Sequence, residues 1–145
     1  MKFGTLVAQP SALYGRFKYY KGLRSSEGDQ YRDVLAAILS GAYEQHRADI
    51  ASALGAAPDL VTTVPSTRVV HAIQPLQAVI QRVEGLASQC GDALEHTGIV
   101  RIPRTVQRDL FRTISSVKRK RILLIEDLWV GGTTVESAVH ALQDA

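Results

Sequence analysis

The chain reads as an α/β protein, with a mostly parallel sheet covered by helices on both faces. Three observations predict this. Leu60 to Val64 and Ile122 to Ile125 are short apolar runs rich in branched residues, the pattern of strands buried on both faces. Each run leads into a tight turn, Pro65-Ser66-Thr67-Arg68 in the first case and Gly131-Gly132-Thr133-Thr134 in the second. Apolar residues at three- and four-residue spacing mark helices around them.

Composition narrows the class. A chain of 145 residues, 46% of them hydrophobic, is enough for a single domain over 1–145 with a real core. No apolar run approaches the roughly 20 residues that span a bilayer. Met1 to Val7 carries too short an apolar stretch for a signal peptide, so the expected location is cytoplasmic. One cysteine, Cys90, excludes an intrachain disulfide and a cysteine-rich zinc site. A net charge of +3 suits a small anionic substrate and does not by itself argue for nucleic acid.

Along the chain, Thr5-Leu6-Val7 is a candidate short strand ended by Gln9-Pro10. From Leu13 to Gly22 aromatics interleave with cations; they either stack on bases or form an amphipathic element with its aromatics inside. Ser25 to Asp29 is expected to be a loop, with Asp29 as a helix N-cap. Tyr31, Val34, Leu35, Ile38, Leu39, Ala42 and Tyr43 then form one apolar stripe, and Gly55 is the expected stop after Leu54. His46 on this helix is expected at the core edge or surface.

Leu76, Val79, Ile80, Val83 and Leu86 predict a helix from Pro75 to about Ser88, with proline at an acceptable first-turn position. Cys90, with no base nearby in sequence, is expected to be a packed or partly exposed thiol. Gly98 to Ile102 is expected as a third strand, ended by Pro103. The basic stretch from Arg104 to Arg112 has two readings. It is a loop that closes over a site, or a solvated helix from Thr105 to Ser115 with Val106, Leu110 and Ile114 buried. Lys118-Arg119-Lys120-Arg121 is the strongest basic patch in the chain and is expected as a solvated turn.

The most informative stretch runs from Ile122 to Thr134. A strand, a glycine-bearing turn and a helix direct backbone N–H groups toward an anion. Thr133 and Thr134 add hydroxyls. Glu126 and Asp127 stand at the carboxyl end of the strand, where open α/β sheets bind ligands. Anion donors beside paired carboxylates suit a sugar phosphate. The plainer alternative is a buried strand followed by a glycine turn and a helix cap.

This stretch resembles the signature of type I phosphoribosyltransferases: apolar strand, acidic pair, apolar pair, then a loop ending in Gly-x-Thr. The resemblance implies a type I phosphoribosyltransferase-like fold. It implies that Val130, Gly131, Gly132, Thr133 and Thr134 hold the 5-phosphate of phosphoribosyl pyrophosphate (PRPP), and that Glu126 and Asp127 contact the ribose hydroxyls. Val130 departs from the family, whose members often carry Asp or Thr there, so proton abstraction at that position has no group to perform it. Val64-Pro65-Ser66-Thr67-Arg68 is similar to a Val-Pro and arginine pattern of ComF-like members, which implies pyrophosphate binding by Ser66, Thr67 and Arg68. His71 and Gln74-Pro75-Leu76 are similar to words that open the next helix in relatives, without their glycine. Phe17-Lys18-Tyr19 resembles a Leu-Lys-Tyr stretch of the same group.

By position the family's mobile loop falls on Arg104 and Arg108, which are candidates for neutralising the leaving group. Mg²⁺ is the implied cofactor, met indirectly by Glu126 and Asp127 through ribose or water. Family members usually add a strand, and often a hood, after the last helix; with the chain ending at Ala145, these are expected to be missing. The implied activity is transfer of a phosphoribosyl group to a nucleobase-like nitrogen acceptor with release of pyrophosphate, part of nucleotide metabolism. The implied partners are PRPP and that acceptor, with a homodimer left open and no membrane. The alternative is a non-catalytic PRPP- or nucleotide-sensing protein, or a nucleic-acid-binding regulator, on the same fold. No Walker motif, dinucleotide fingerprint, nucleophile elbow or His-Glu-x-x-His occurs.

Overall fold

The computed structural model describes residues 26–66, 74–127 and 131–145. The expected strand at Thr5 to Val7 and the aromatic-cationic stretch from Leu13 lie outside the described residues. The elements are α1 (Ser26–Leu54), β1 (Leu60–Thr63), α2 (Pro75–Ile80), α3 (Glu84–Ala87), β2 (Leu94–His96), β3 (Phe111–Thr113), β4 (Ile122–Ile125) and α4 (Thr133–Gln143). This is a mixed α/β arrangement. Among the described residues the strands form one parallel pair, β1 with β4, and one antiparallel pair, β2 with β3, where a mostly parallel sheet was expected. No helix among the described residues is long and apolar enough to cross a membrane.

The 29-residue helix α1 spans about 43 Å at 1.5 Å per residue. It starts at Ser26, so Asp29 lies in its first turn rather than at the N-cap, where its negative charge still favours the helix dipole. Gly55 ends it with a left-handed φ of 82°, as the sequence predicts. Tyr31, Leu35, Ala36, Leu39, Tyr43 and Ile50 face the core, whereas Val34 and Ile38 are 46% and 55% exposed. The apolar stripe is therefore wider than the surface that covers it.

β1 and β4 run parallel with Leu60 opposite Ile122 and Thr63 opposite Ile125. Alternate residues belong to different cores. Val61, Leu123 and Ile125 pack with α1, α2 and α3 around Val79, Ile80, Val83 and Leu86. Leu60, Ile122 and Leu124 pack on the other side with Ala93, Leu94, Leu110, Phe111 and Ala138. All of β1 is buried; β4 is only half-buried, short of the burial on both faces that its apolar run predicts. Beyond β1, the Val61 N–H donates to the Gln89 carbonyl and the Gly91 N–H to the Val61 carbonyl, so residues 89–91 lie along its other edge.

Three expected elements differ. The helix from Pro75 is broken: α2 stops at Ile80, Gln81 and Arg82 turn, and α3 restarts after the extended Val83. Arg82 is drawn onto α1, where its guanidinium meets Asp29 at 2.6 Å and also pairs with Asp33. Gly98 to Ile102 forms no strand; Ile99, Val100 and Ile102 are exposed, Val100 by 83%. The Thr105–Ser115 helix is also absent, because Phe111–Thr113 pairs with Leu94–His96 instead. Leu110 is buried as expected, but Ile114 is 49% exposed.

The entrance to both parallel strands is clamped. The Arg121 guanidinium forks onto Asp59, with contacts of 2.8 Å and 2.6 Å, and the Arg121 backbone N–H donates to the same carboxylate. The Asp59 N–H returns a 2.8 Å bond to the Arg121 carbonyl. These contacts set the register at the N-terminal ends of β1 and β4.

Candidate functional site

Parallel strands in register release their chains at the same edge. Thr63 lies opposite Ile125, so Val64-Pro65-Ser66 and Glu126-Asp127 emerge side by side from strands about 4.8 Å apart. The strand exits that lead toward the two turns are thereby neighbours, although more than fifty residues separate them along the chain. Thr67, Arg68 and Val130 lie outside the described residues.

The first loop is closed by a side chain. The Ser66 N–H donates to Gln74 Oε1 at 3.2 Å. Gln74 is the extended residue preceding α2, and Pro75 supplies the fixed φ that starts the helix. Gln74 thus ties the strand exit at Ser66 to the start of α2. Glu126 is half-buried and Asp127 exposed, at the end of β4.

The second turn carries two successive left-handed glycines, Gly131 at φ 70° and Gly132 at φ 72°. Only glycine takes that conformation without steric cost, which is why this pair reads so clearly in the sequence. Gly132 is buried and caps α4, its carbonyl accepting the Glu136 N–H at 2.9 Å. No side chain caps this end. Thr133 and Thr134 are half-buried in the first turn of α4. At Gly131 a Cβ would meet open space, so the glycine there answers the backbone angle rather than crowding.

The structure treats the two candidate arginines differently. Arg104 is exposed and holds a φ of 60°, rare for a residue with a Cβ. Arg108 pairs with Asp144 at 3.7 Å, at the far end of α4 from the glycine turn. That helix of 11 residues is about 16 Å long, so Arg108 is not brought to the turn in this conformation. Lys118, Arg119 and Lys120 are exposed on the turn before β4, at the opposite edge from Glu126 and Asp127. Cys90 is half-buried, and burial pushes its thiol up, with Asp92 adding to the shift. It is a partly exposed thiol, one of the two forms expected.

Two residues near this site escape sequence reading. Ser137 is fully buried in the second turn of α4, where its hydroxyl donates to the Thr133 carbonyl at 2.8 Å and accepts the Gln107 N–H at 3.0 Å. The one available signal was a serine on the Ala138–Ala141 face of a helix, where such residues bond back one turn. Gln107 carries no local signal.

Among the described residues no group of three or more His, Cys, Asp or Glu side chains could hold a metal ion alone. The adjacent carboxylates of Glu126 and Asp127 fit a hard cation that keeps most of its waters and takes its other oxygens from a substrate. Compared with known proteins, the chain matches no family model, no curated protein and no solved structure.

Proposed function

We propose that this chain has a type I phosphoribosyltransferase-like fold and transfers the phosphoribosyl group of PRPP to a nucleobase-like nitrogen acceptor, releasing pyrophosphate, in the cytoplasm. The observation that carries this reading is the parallel, in-register pairing of β1 and β4. It brings the residues that leave the two strands, Val64-Pro65-Ser66 and Glu126-Asp127, out at one edge of the sheet, which supports a shared site there.

In this reading the N–H groups around Gly132 to Thr134 hold the 5-phosphate, helped by the positive end of the α4 dipole. Glu126 and Asp127 accept hydrogen bonds from the ribose hydroxyls and fix the sugar relative to the leaving group. Ser66, Thr67 and Arg68 face the pyrophosphate, and Arg104 or Arg108 is carried to it by movement of the loop that bears it. For Arg108 that means leaving Asp144. Catalysis rests on positioning and on charge complementary to the departing pyrophosphate, so no side chain has to become a nucleophile. Mg²⁺, held indirectly by Glu126 and Asp127, supplies positive charge to the pyrophosphate oxygens when bound.

The test is calorimetric titration with PRPP and Mg²⁺, followed by pyrophosphate release across a panel of nucleobases and ammonia. Saturable binding with release for one acceptor supports the reading. Binding without release across the panel leaves a sensor and removes the enzyme. Salt-sensitive binding of RNA or DNA with no PRPP binding removes both and favours the regulator, acting through Lys118, Arg119 and Lys120.

A further inference from the structure

We propose that Gln107 and Ser137 are positioning residues that couple the arginine-bearing loop 100–105 to the phosphate turn at the start of α4. The proposal rests on the reading of that turn as a phosphate site. It deepens the reading by assigning the link between the two halves of the site.

The link is a continuous set of hydrogen bonds. Gln107 holds the loop with both ends of its amide: Oε1 accepts the Ile102 N–H at 2.6 Å, and Nε2 donates to the Val100 carbonyl at 3.2 Å. These bonds flank Arg101 and close the loop just before the Pro103-Arg104 turn, where Arg104 takes its left-handed φ of 60°. The Gln107 backbone N–H then donates to Ser137 Oγ at 3.0 Å. The single hydroxyl hydrogen of Ser137 goes to the Thr133 carbonyl at 2.8 Å. Thr133 directly follows the two left-handed glycines.

Ser137 is fully buried, so its hydroxyl has no water to exchange with; losing it takes the acceptor from the Gln107 N–H, while the Thr133 carbonyl keeps its place in the helical ladder. The loop side is the reverse. Val100 and Ile102 are 83% and 54% exposed, so little apolar packing holds this segment. Apart from the Thr105 N–H bond to the Ile102 carbonyl at 3.3 Å, its geometry depends on Gln107. An anion that orders the first turn of α4 therefore tightens the Thr133–Ser137–Gln107 relay and, through it, the backbone that carries Arg104.

Amide hydrogen exchange on the intact chain, with ribose 5-phosphate as the probe, tests this. In the unmutated protein the probe should slow exchange at residues 131–134 and also at the Ile102 amide. The slowing at Ile102 should be about fivefold, the size set by one neutral hydrogen bond. Ser137→Ala leaves the Gln107–Ile102 bond in place but cuts the relay. It should keep the resting protection of Ile102 and lose the response to the probe, which a merely structural serine would not do. Gln107→Leu should lose Ile102 protection with and without the probe while 131–134 still respond. If Ile102 in Ser137→Ala responds as in the unmutated protein, or if only 131–134 respond in the unmutated protein, the coupling is wrong and the phosphate site stands. If 131–134 do not respond in the unmutated protein, the phosphate reading fails and the coupling with it.

Discussion

Gly132 holds a φ of 72°, which a β-branched side chain adopts only under strain. Gly132→Val should destabilise the fold by about 1–3 kcal/mol through backbone strain alone. It should also abolish PRPP binding, because the substituted turn can no longer present its N–H groups. A thermal melt and a calorimetric titration on the same sample separate the two effects. Asp127 is the opposite case, exposed and outside either core. Asp127→Asn should lower phosphoribosyl transfer about a hundredfold. Its melting temperature should stay within about 2 °C, since exposed substitutions rarely cost more. Unchanged turnover in that variant would refute the role assigned to the carboxylate. At this scale the sequence disclosed residues whose chemistry is unusual where they stand: paired glycines, paired acids, a proline after a strand. Gln107 and Ser137 stayed hidden. Their importance lies in which backbone groups they meet, and those partners are set only once the chain is folded.

The clamp between Asp59 and Arg121 governs the elements that frame the site. Side-chain hydrogen bonds from Arg121, reinforced by its backbone N–H, hold the Asp59 carboxyl well below the usual carboxylate range. A carboxyl whose pKa falls on folding stabilises the native state above its ordinary value near 3.8, and that contribution is lost as pH falls toward the folded value. Melting temperature should therefore decline below about pH 4, and Asp59→Asn should show a shallower decline over the same window. Equal acid slopes for the two proteins would show that the clamp is too well solvated to matter. Legibility differs by element for physical reasons. β1, β4, α4 and the end of α1 carry their own punctuation. The hairpin of β2 and β3 has three residues per strand, too few for alternation to show. The break between α2 and α3 was invisible because Val79, Ile80, Val83 and Leu86 keep helical spacing across it. At the break Arg82 meets Asp29 and Asp33, partners about fifty residues back along the chain.

For the whole molecule, the central fact is that both cores share β1 and β4. Leu86→Ala on one side and Leu110→Ala on the other each empty a fully buried position, and each should cost about 2–5 kcal/mol. Because the strand pair belongs to both cores, either variant should shift one cooperative transition rather than split it in two. Calorimetric and van't Hoff enthalpies that disagree, or separate transitions by fluorescence and circular dichroism, would show that the cores melt independently. The α/β class was legible at this scale because alternation of strand and helix is a property of the chain itself. The division of the interior into two compartments was not, since it depends on which short strands meet.

The alternation along β1 and β4 imposes a parity rule on the gene. One residue inserted within Leu60–Thr63 would turn Val61 from the α1 side to the α4 side and reverse each residue that follows in the strand. Two inserted residues restore the sides and lengthen the strand by one pleat. Within these strands, length can therefore change only in even steps. In the loops that leave them at the other edge, no such arithmetic applies. Length can change there by single codons without reversing any side chain of the strand pair.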